Sequence, residues 1–319
     1  MMGTVSETMS PVLGRVRAYF APVNRGSEMP TIFDPAQSGG FALDAPPAPW
    51  VDLGWIDGFV RKCGTKVVAL RSGAPATTQM QVRTEIEATV AFAFESWGKA
   101  QLALAAGTQQ MNLLKTVTGA TAEGSGGVAI AATALLTGST ANVLQVGSTA
   151  AAGFAVGEIV AVDVDYAATT GFVGSGLSGA YVKSALTDVD YVRRVTLNVG
   201  RIAAIGTGTA AGALTLECPL LAGVPTTSMK VSGVVGFCDR EGSSFFQEWS
   251  GLFVGEGQQG ERVVWFYPRL QTTAGVTEDV AASLGGLEKA RLAGSFRALP
   301  VVDPVDGETV VCFRSYVAG

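Results

Sequence analysis

The chain has 319 residues, no histidine, 15% charged residues and a net charge of −5 at pH 7. Without histidine there is no Ser-His or Cys-His nucleophile pair, and both the usual general base near neutrality and the commonest metal ligand are missing. The acidic balance leaves no basic patch of the kind that grips nucleic-acid phosphates. Mean hydropathy is +0.33, yet no apolar run reaches the ~18 residues of a membrane-spanning helix. The opening MMGTVSETMS has neither the basic nor the apolar region of a signal peptide. A weakly charged, apolar chain of this kind is expected to hide surplus apolar surface against copies of itself.

In chain order, the first feature is a Pro-rich stretch from Pro11 to Pro49. Proline lacks an amide donor and fixes φ, which excludes a central strand or a helix here. Phe33, Phe41, Trp50 and Trp55 argue against disorder, because disordered segments are poor in aromatics. Residues 20–60 are therefore predicted to be an extended arm whose rings dock on a neighbouring subunit, the alternative home being the parent domain's own surface. Lys66–Leu70 and Gln81–Phe94 read as strands. In the second, Val82, Thr84, Ile86, Ala88, Val90, Phe92 and Phe94 share one face. Ser96 is the expected N-cap of a helix running to Ala106, with Gly107 as its stop.

Residues 119–235 are dominated by Ala, Gly, Thr, Ser and Val, and Gly124–Gly157 contains no charged side chain. This composition predicts an inserted β domain, a small barrel or sandwich, with 1–118 and 236–319 forming a split main domain. Its expected strands are Glu158–Tyr166, Tyr191–Ile205, Leu214–Leu220 and Met229–Phe237, separated by turns at Gly171–Gly179 and Gly206–Gly212. The sequence DVDY occurs twice. Asp163 with Asp165 and Asp188 with Asp190 would each point to one face of a strand, and two such pairs could hold Ca²⁺; the other reading is a solvated strand face. Gly206–Gly212 has the wrong spacing for a phosphate loop and reads as a turn.

The densest signal lies between Phe237 and Leu270, where eight aromatic and eight charged residues share 34 positions. Phe245, Phe246, Trp249, Arg262, Trp265 and Arg269 have the character of an inter-subunit surface, with rigid apolar anchors and paired charges at the rim. Two adjacent strands with one buried face would also account for them. Beyond the block, Thr277–Asp279 followed by Lys289 and Arg291 has the charge polarity of a short helix. Arg291–Leu299 and Glu308–Val317 are predicted to form a hairpin around Asp303–Gly307. Cys63, Cys218, Cys238 and Cys312 show no paired spacing and each adjoins an apolar stretch, which reads as buried free thiols in a reducing compartment. No GxSxG elbow or other catalytic signature is present, so no enzymatic activity and no cofactor are expected.

Three segments, PTIFDPAQSGGFALDAPPAPWVDLGWIDGF (30–59), ATVAFAFESWGKAQLALAAGTQQMNLL (88–114) and DREGSSFFQEWSGLFVGEGQQGERVVWFYPRLQ (239–271), resemble tail tube proteins, or major tail proteins, of long-tailed bacteriophages. The resemblance covers the two flanks and implies a mainly β (α+β) fold, a β-sandwich with a flanking helix. It also implies that six copies close their sheets into a ring and that rings stack into the tail tube that conducts DNA during ejection. The implied partners are further copies of the chain and the tail tip, tail terminator and tape measure proteins. DNA would pass through the lumen without specific binding, and no membrane is involved. The implied location is the virion tail, assembled in the host cytoplasm, with the insert displayed on the tube exterior. Two alternatives stand beside it: a capsid decoration or other virion surface protein, and a carbohydrate-binding adhesin module. The mild acidity of the chain suits a conduit that DNA must leave.

Overall fold

The structure is a computed structural model; it describes residues 13–23, 29–96, 98–119, 127–168, 175, 188–240, 247–258, 260–273 and 292–318. In chain order the elements are β1 (Leu13–Pro22), α1 (Pro35–Ser38), β2 (Val51–Ser72), β3 (Thr77–Phe94), α2 (Lys99–Ala106), β4 (Met111–Leu114), β5 (Thr133–Ala134), β6 (Val143–Gln145) and α3 (Ser148–Ala151). There follow β7 (Ile159–Asp163), α4 (Tyr191–Val195), β8 (Val199–Ile205), β9 (Ala213–Leu216), β10 (Lys230–Cys238), β11 (Glu248–Gly257), β12 (Arg262–Thr272), β13 (Leu292–Ala298), β14 (Val301–Val302), β15 (Thr309–Val310) and β16 (Phe313–Val317). The protein is mainly β, built on large antiparallel sheets.

Six strands from the two flanks close on themselves. Their order is β11-β1-β2-β3-β13-β12, and β12 pairs back onto β11, every pairing being antiparallel. A closed hydrogen-bonded path leaves no free edge among these strands. Where the family resemblance implies a β-sandwich, these six strands form a closed barrel within one chain. Phe20, Phe92, Phe253 and Phe296 fill the inside: Phe92 stacks on Phe296 at 5.5 Å between centroids, and Phe20 meets Phe253 edge-on at 5.8 Å.

Period-two alternation puts Ala18 and Phe20 inside and Tyr19 and Ala21 outside. The outward residues are not left to solvent. The 29–50 segment lies over them, and Phe33 and Trp50 pack with Tyr19, Leu252, Val264 and Phe266 into a second apolar layer. Trp50 meets Phe33 at 6.1 Å and Phe266 at 6.0 Å, both edge-on. Strands β1, β11 and β12 are consequently buried on both faces, which is why the 237–270 block holds so many rings.

Helix α2 packs Ala100, Ala103, Leu104 and Ala105 against the barrel core. It ends as its sequence requires. Gly107 adopts φ +66°, and its N–H donates to the Ala103 carbonyl at 3.0 Å. A side chain there would also run into Thr272, whose Cβ is 2.7 Å from where a Cβ would sit. At the other end the structure replaces the expected Ser96 cap with Gly98.

The middle of the chain builds a separate sheet, β4-β10-β7-β8-β9-β6, with β5 also on β10. It has its own apolar core, which includes Leu144, Val160, Ile202, Leu214 and Val231. The sheet starts at Met111 and ends at Cys238, slightly outside the 119–235 span read from composition. One expected strand is corrected. Only the second half of Tyr191–Ile205 is strand; Tyr191–Val195 is a helical turn. That turn places Arg193 against Asp190 three residues earlier and sends Val192 and Val195 into the barrel-side core. The predicted Gly206–Gly212 turn connects β8 to β9.

The expected C-terminal hairpin is also rearranged. Strands β13 and β16 do not pair with each other. Both pair with β12, and only the short β14 and β15 pair around Asp303–Gly307. The predicted Thr277–Arg291 helix and the Gly171–Gly179 turn fall outside the described residues, apart from Ser175.

Candidate assembly surface

The longest feature of the molecule is the β2–β3 hairpin. Its register runs from Ile56↔Phe94 out to Ser72↔Thr77, with irregularities at Asp57/Val60, Lys66/Val67 and Leu70/Arg71. The proximal part belongs to the barrel. The distal part, residues 64–87, leaves the body, and its side chains are almost all exposed.

On β3 the apolar alternation that buries Phe94, Phe92, Val90 and Ala88 continues outward to Ile86; the expected single face from Val82 to Phe94 is broken there, because a bulge at Thr84 (Lys66↔Glu85, then Val67↔Arg83) turns Val82 and Met80 to the other side of the hairpin. From Ala88 inward this face is at most 4% exposed. Beyond it, Ile86 is 44%, Val82 39% and Met80 58% exposed. The partner strand matches it: Val68 lies opposite Val82, and Leu70 opposite Met80. The hairpin thus carries half-exposed apolar residues past the end of the barrel, Ile86 on one face and Val68, Leu70, Met80 and Val82 on the other, and none of the described residues covers them. Near the root, the face turned away from Ile86 is charged in both signs, with Lys66 across from Glu85, and Arg297 of β13 bonded to Glu87 at 2.9 Å.

The residues singled out from sequence divide into groups. Phe33, Trp50 and Trp249 are buried by their own chain, so the arm's apolar home is the outside of its own barrel. Phe41 packs beside them, edge-on to Tyr19 at 5.2 Å. Arg262 fastens this arm, donating to the Phe41 carbonyl at 2.6 Å and the Gly39 carbonyl at 3.1 Å while pairing with Glu256 at 3.2 Å. Arg269 pairs with Glu248 on the adjacent strand. Trp265 faces the barrel mouth against Phe59 at 5.1 Å. Trp55 is half-buried between two guanidinium groups, with Arg15 and Arg17 at 4.9 and 5.3 Å from its ring. Phe245 and Phe246 lie outside the described residues.

The four aspartates proposed for calcium are brought near one another, but around cations. Arg193, itself only 1% exposed, bridges Asp165 and Asp190. Lys230 pairs with Asp165 at 2.6 Å, and Arg194 with Asp188 at 2.7 Å. Burial opposes ionisation of Asp165, but hydrogen bonds from Lys230 and Arg193 outweigh it and hold the carboxyl below its ordinary range. Asp163 is fully buried and accepts from Ser175 N, Ser175 Oγ and Thr196 Oγ1 at 2.8, 2.6 and 2.7 Å. Among the described residues no group of three His, Cys, Asp or Glu side chains is placed to hold a metal.

Two thiols differ from expectation. Cys63 and Cys218 are exposed, and all four cysteines are free. Cys63 is exposed because it sits where the hairpin leaves the barrel. The signal that sequence reasoning missed was the length of the two hairpin strands, since Lys66–Leu70 and Gln81–Phe94 cover only part of Val51–Ser72 and Thr77–Phe94. No described helix is long and apolar enough to cross a membrane. No protein-family model and no curated protein matches the chain.

Proposed function

We propose that this chain is a structural protein that polymerises with copies of itself, in the manner of a phage tail tube: six-membered rings that stack into a hollow conduit for DNA. One observation carries the reading, namely that a long hairpin projects beyond the barrel and bears half-exposed apolar residues that none of the described residues of its own subunit covers. A second copy is the occupant argued for. At the root of the hairpin Lys66 stands across from Glu85, a pairing of both signs that favours neither a polyanion nor a polycation.

Magnitudes favour repetition over a simple dimer. Covering five half-exposed apolar side chains contributes on the order of 1 kcal/mol each. That sum only reaches the lower end of the roughly 4–15 kcal/mol lost on association. One hairpin contact is therefore weak, and a lattice in which every subunit both gives and receives one is stable. The resemblance of the flanks to tail tube proteins supplies the six-fold ring and the partners at the tube ends. The net charge of −5 agrees with a lumen that releases DNA.

The test is negative-stain electron microscopy with sedimentation of the concentrated protein, beside the double variant Leu70→Ser, Met80→Ser. Tubes or rings for the parent chain, and monomers of unchanged melting temperature for the variant, are expected. A parent chain that stays monomeric at every concentration with nucleating tail-tip components present, or a variant that assembles like the parent, overturns the proposal. Discrete trimers would favour the capsid-decoration reading instead.

A further inference from the structure

Strands β4, β10 and β7 lie side by side in the middle sheet, and a charged pair bridges the outer two across the strand between them. Lys115 directly follows β4, and Glu158 directly precedes β7. Two interstrand spacings amount to about 10 Å, yet Lys115 Nζ and Glu158 Oε1 meet at 2.6 Å. Gly233 of β10 makes this possible. A Cβ there would sit 2.3 Å from Glu158 Oε1 and 2.8 Å from Lys115 Cδ, so any side chain would displace the pair. The Ala155 N–H donates to Glu158 Oε2 at 3.0 Å and fixes the carboxylate. Oε1 is held differently. The Glu158 side chain is only 8% exposed, and its contact with Lys115 lacks the alignment of a hydrogen bond. This buried oxygen therefore keeps acceptor capacity for an aligned donor.

Lys115 and Glu158 line a cavity of about 100 Å³, room for roughly three waters. Val231, Ala150 and Phe154 supply an apolar wall, and Ile130, 49% exposed, stands on its solvent side. A small pocket with an apolar wall and a few placed polar groups is the ordinary form of a ligand site.

We propose that this cavity binds the acetamido group of an N-acetylated amino sugar. The amide N–H donates to Glu158 Oε1, the amide oxygen accepts from Lys115 Nζ, and the methyl group enters the apolar wall. An amide carries its donor and acceptor side by side, as the ion pair presents its acceptor and donor. A bare anion would be repelled by Glu158 and a bare cation by Lys115. A pair of hydroxyls would meet both charges but leave the apolar wall unfilled. The sugar ring stays outside the cavity, its C–H face against Ile130 and Phe154. The site lies wholly in the middle sheet, so it stands whether or not the chain polymerises.

The test is saturation-transfer NMR of the full chain with N-acetylglucosamine, beside glucose, glucosamine and Nε-acetyl-lysine. Saturation is expected to pass most strongly to the acetyl methyl of N-acetylglucosamine, with glucose and glucosamine at background. Gly233→Ala and Glu158→Gln should each lower the methyl signal at least several-fold. In the second variant the Ala155 N–H keeps the side-chain oxygen and turns the side-chain nitrogen toward the ligand's own donor. Thermal melts check that the variants fold; if Gly233→Ala does not, Glu158→Gln decides. A methyl signal at background in the parent chain overturns the proposal, as does a glucose signal that matches it. Saturation of acetyl-lysine without N-acetylglucosamine, or an unchanged methyl signal in folded Glu158→Gln, overturns it equally.

Discussion

The Nζ of Lys99 donates to the carbonyl oxygen of Thr196 at 2.6 Å, joining the first turn of α2, beside the barrel, to the end of α4 in the second sheet. The amine is buried and lies over the Phe237 ring at 5.6 Å. Burial holds it well below its ordinary value of 10.5, because removing an ammonium from water disfavours the charged form. The unfolded chain therefore binds this proton more tightly than the folded one. Its contribution to stability falls as pH drops from about 10.5 toward the lowered folded value, and levels off below it. Lys99→Met is expected to flatten that slope and to raise the melting temperature at neutral pH by a few degrees, on the order of 1 kcal/mol. Thr196 O keeps a donor in the variant, since Asn112 Nδ2 also reaches it at 3.0 Å. Thermal melts from pH 6 to 10 check this; an unchanged slope would show that the group is charged and paired in the fold.

The arm aromatics should behave as core residues of the subunit. Trp50→Ala and Phe33→Ala each open a cavity in the layer outside the barrel and are expected to cost about 3–5 kcal/mol, read as a fall in the monomer's melting temperature or denaturant midpoint. Trp55→Ala removes a half-buried ring held by two guanidinium groups and should cost less, about 1–2 kcal/mol. Equal and small effects for all three would return the arm to an inter-subunit role.

The Asp–Arg cluster should ignore calcium. Arg193 and Arg194 already occupy the carboxylates that a divalent ion would need. Millimolar Ca²⁺ is expected to leave the melting temperature unchanged, where an ion at 100 times its dissociation constant would contribute about 2.7 kcal/mol. Arg193→Met should instead destabilise by about 3–5 kcal/mol, because it strands Asp190 beside a buried apolar side chain. A calcium-dependent rise in the parent chain would refute the assignment of these carboxylates to ion pairs.

Gly107→Ala should cost about 1–2 kcal/mol for the left-handed φ alone, and more for the collision with Thr272. Gly40→Ala, where a Cβ meets nothing within 4 Å and φ is not left-handed, is the matched control and should be close to neutral in the same chemical-denaturation measurement.

Local chemistry carried what the sequence determined by itself. The alternation from Ile86 to Phe94 specified a strand and its apolar face, Gly107 specified the end of a helix, and the shift to Ala, Gly and Thr marked a separate sheet between two flanks. Each of these depends on neighbours a few residues away, through period-two side-chain direction or a single permitted φ. Tertiary structure alone decided whether a given apolar face is covered. Ile86 and Val90 are indistinguishable in pattern, yet one is 44% exposed and the other 0%, because the barrel ends between them. Trp50 and Trp249 have the composition of an interface, but Trp50 is buried against Tyr19 and Phe266 on the outside of its own barrel and Trp249 in the barrel core. Closure of β12 onto β11, pairing of β16 with β12 rather than β13, and the turn at Tyr191–Val195 were fixed in the same way. Long-range pairing and burial outweigh local propensity there, since what they stabilise depends on which segments meet, a quantity that no short stretch of sequence contains.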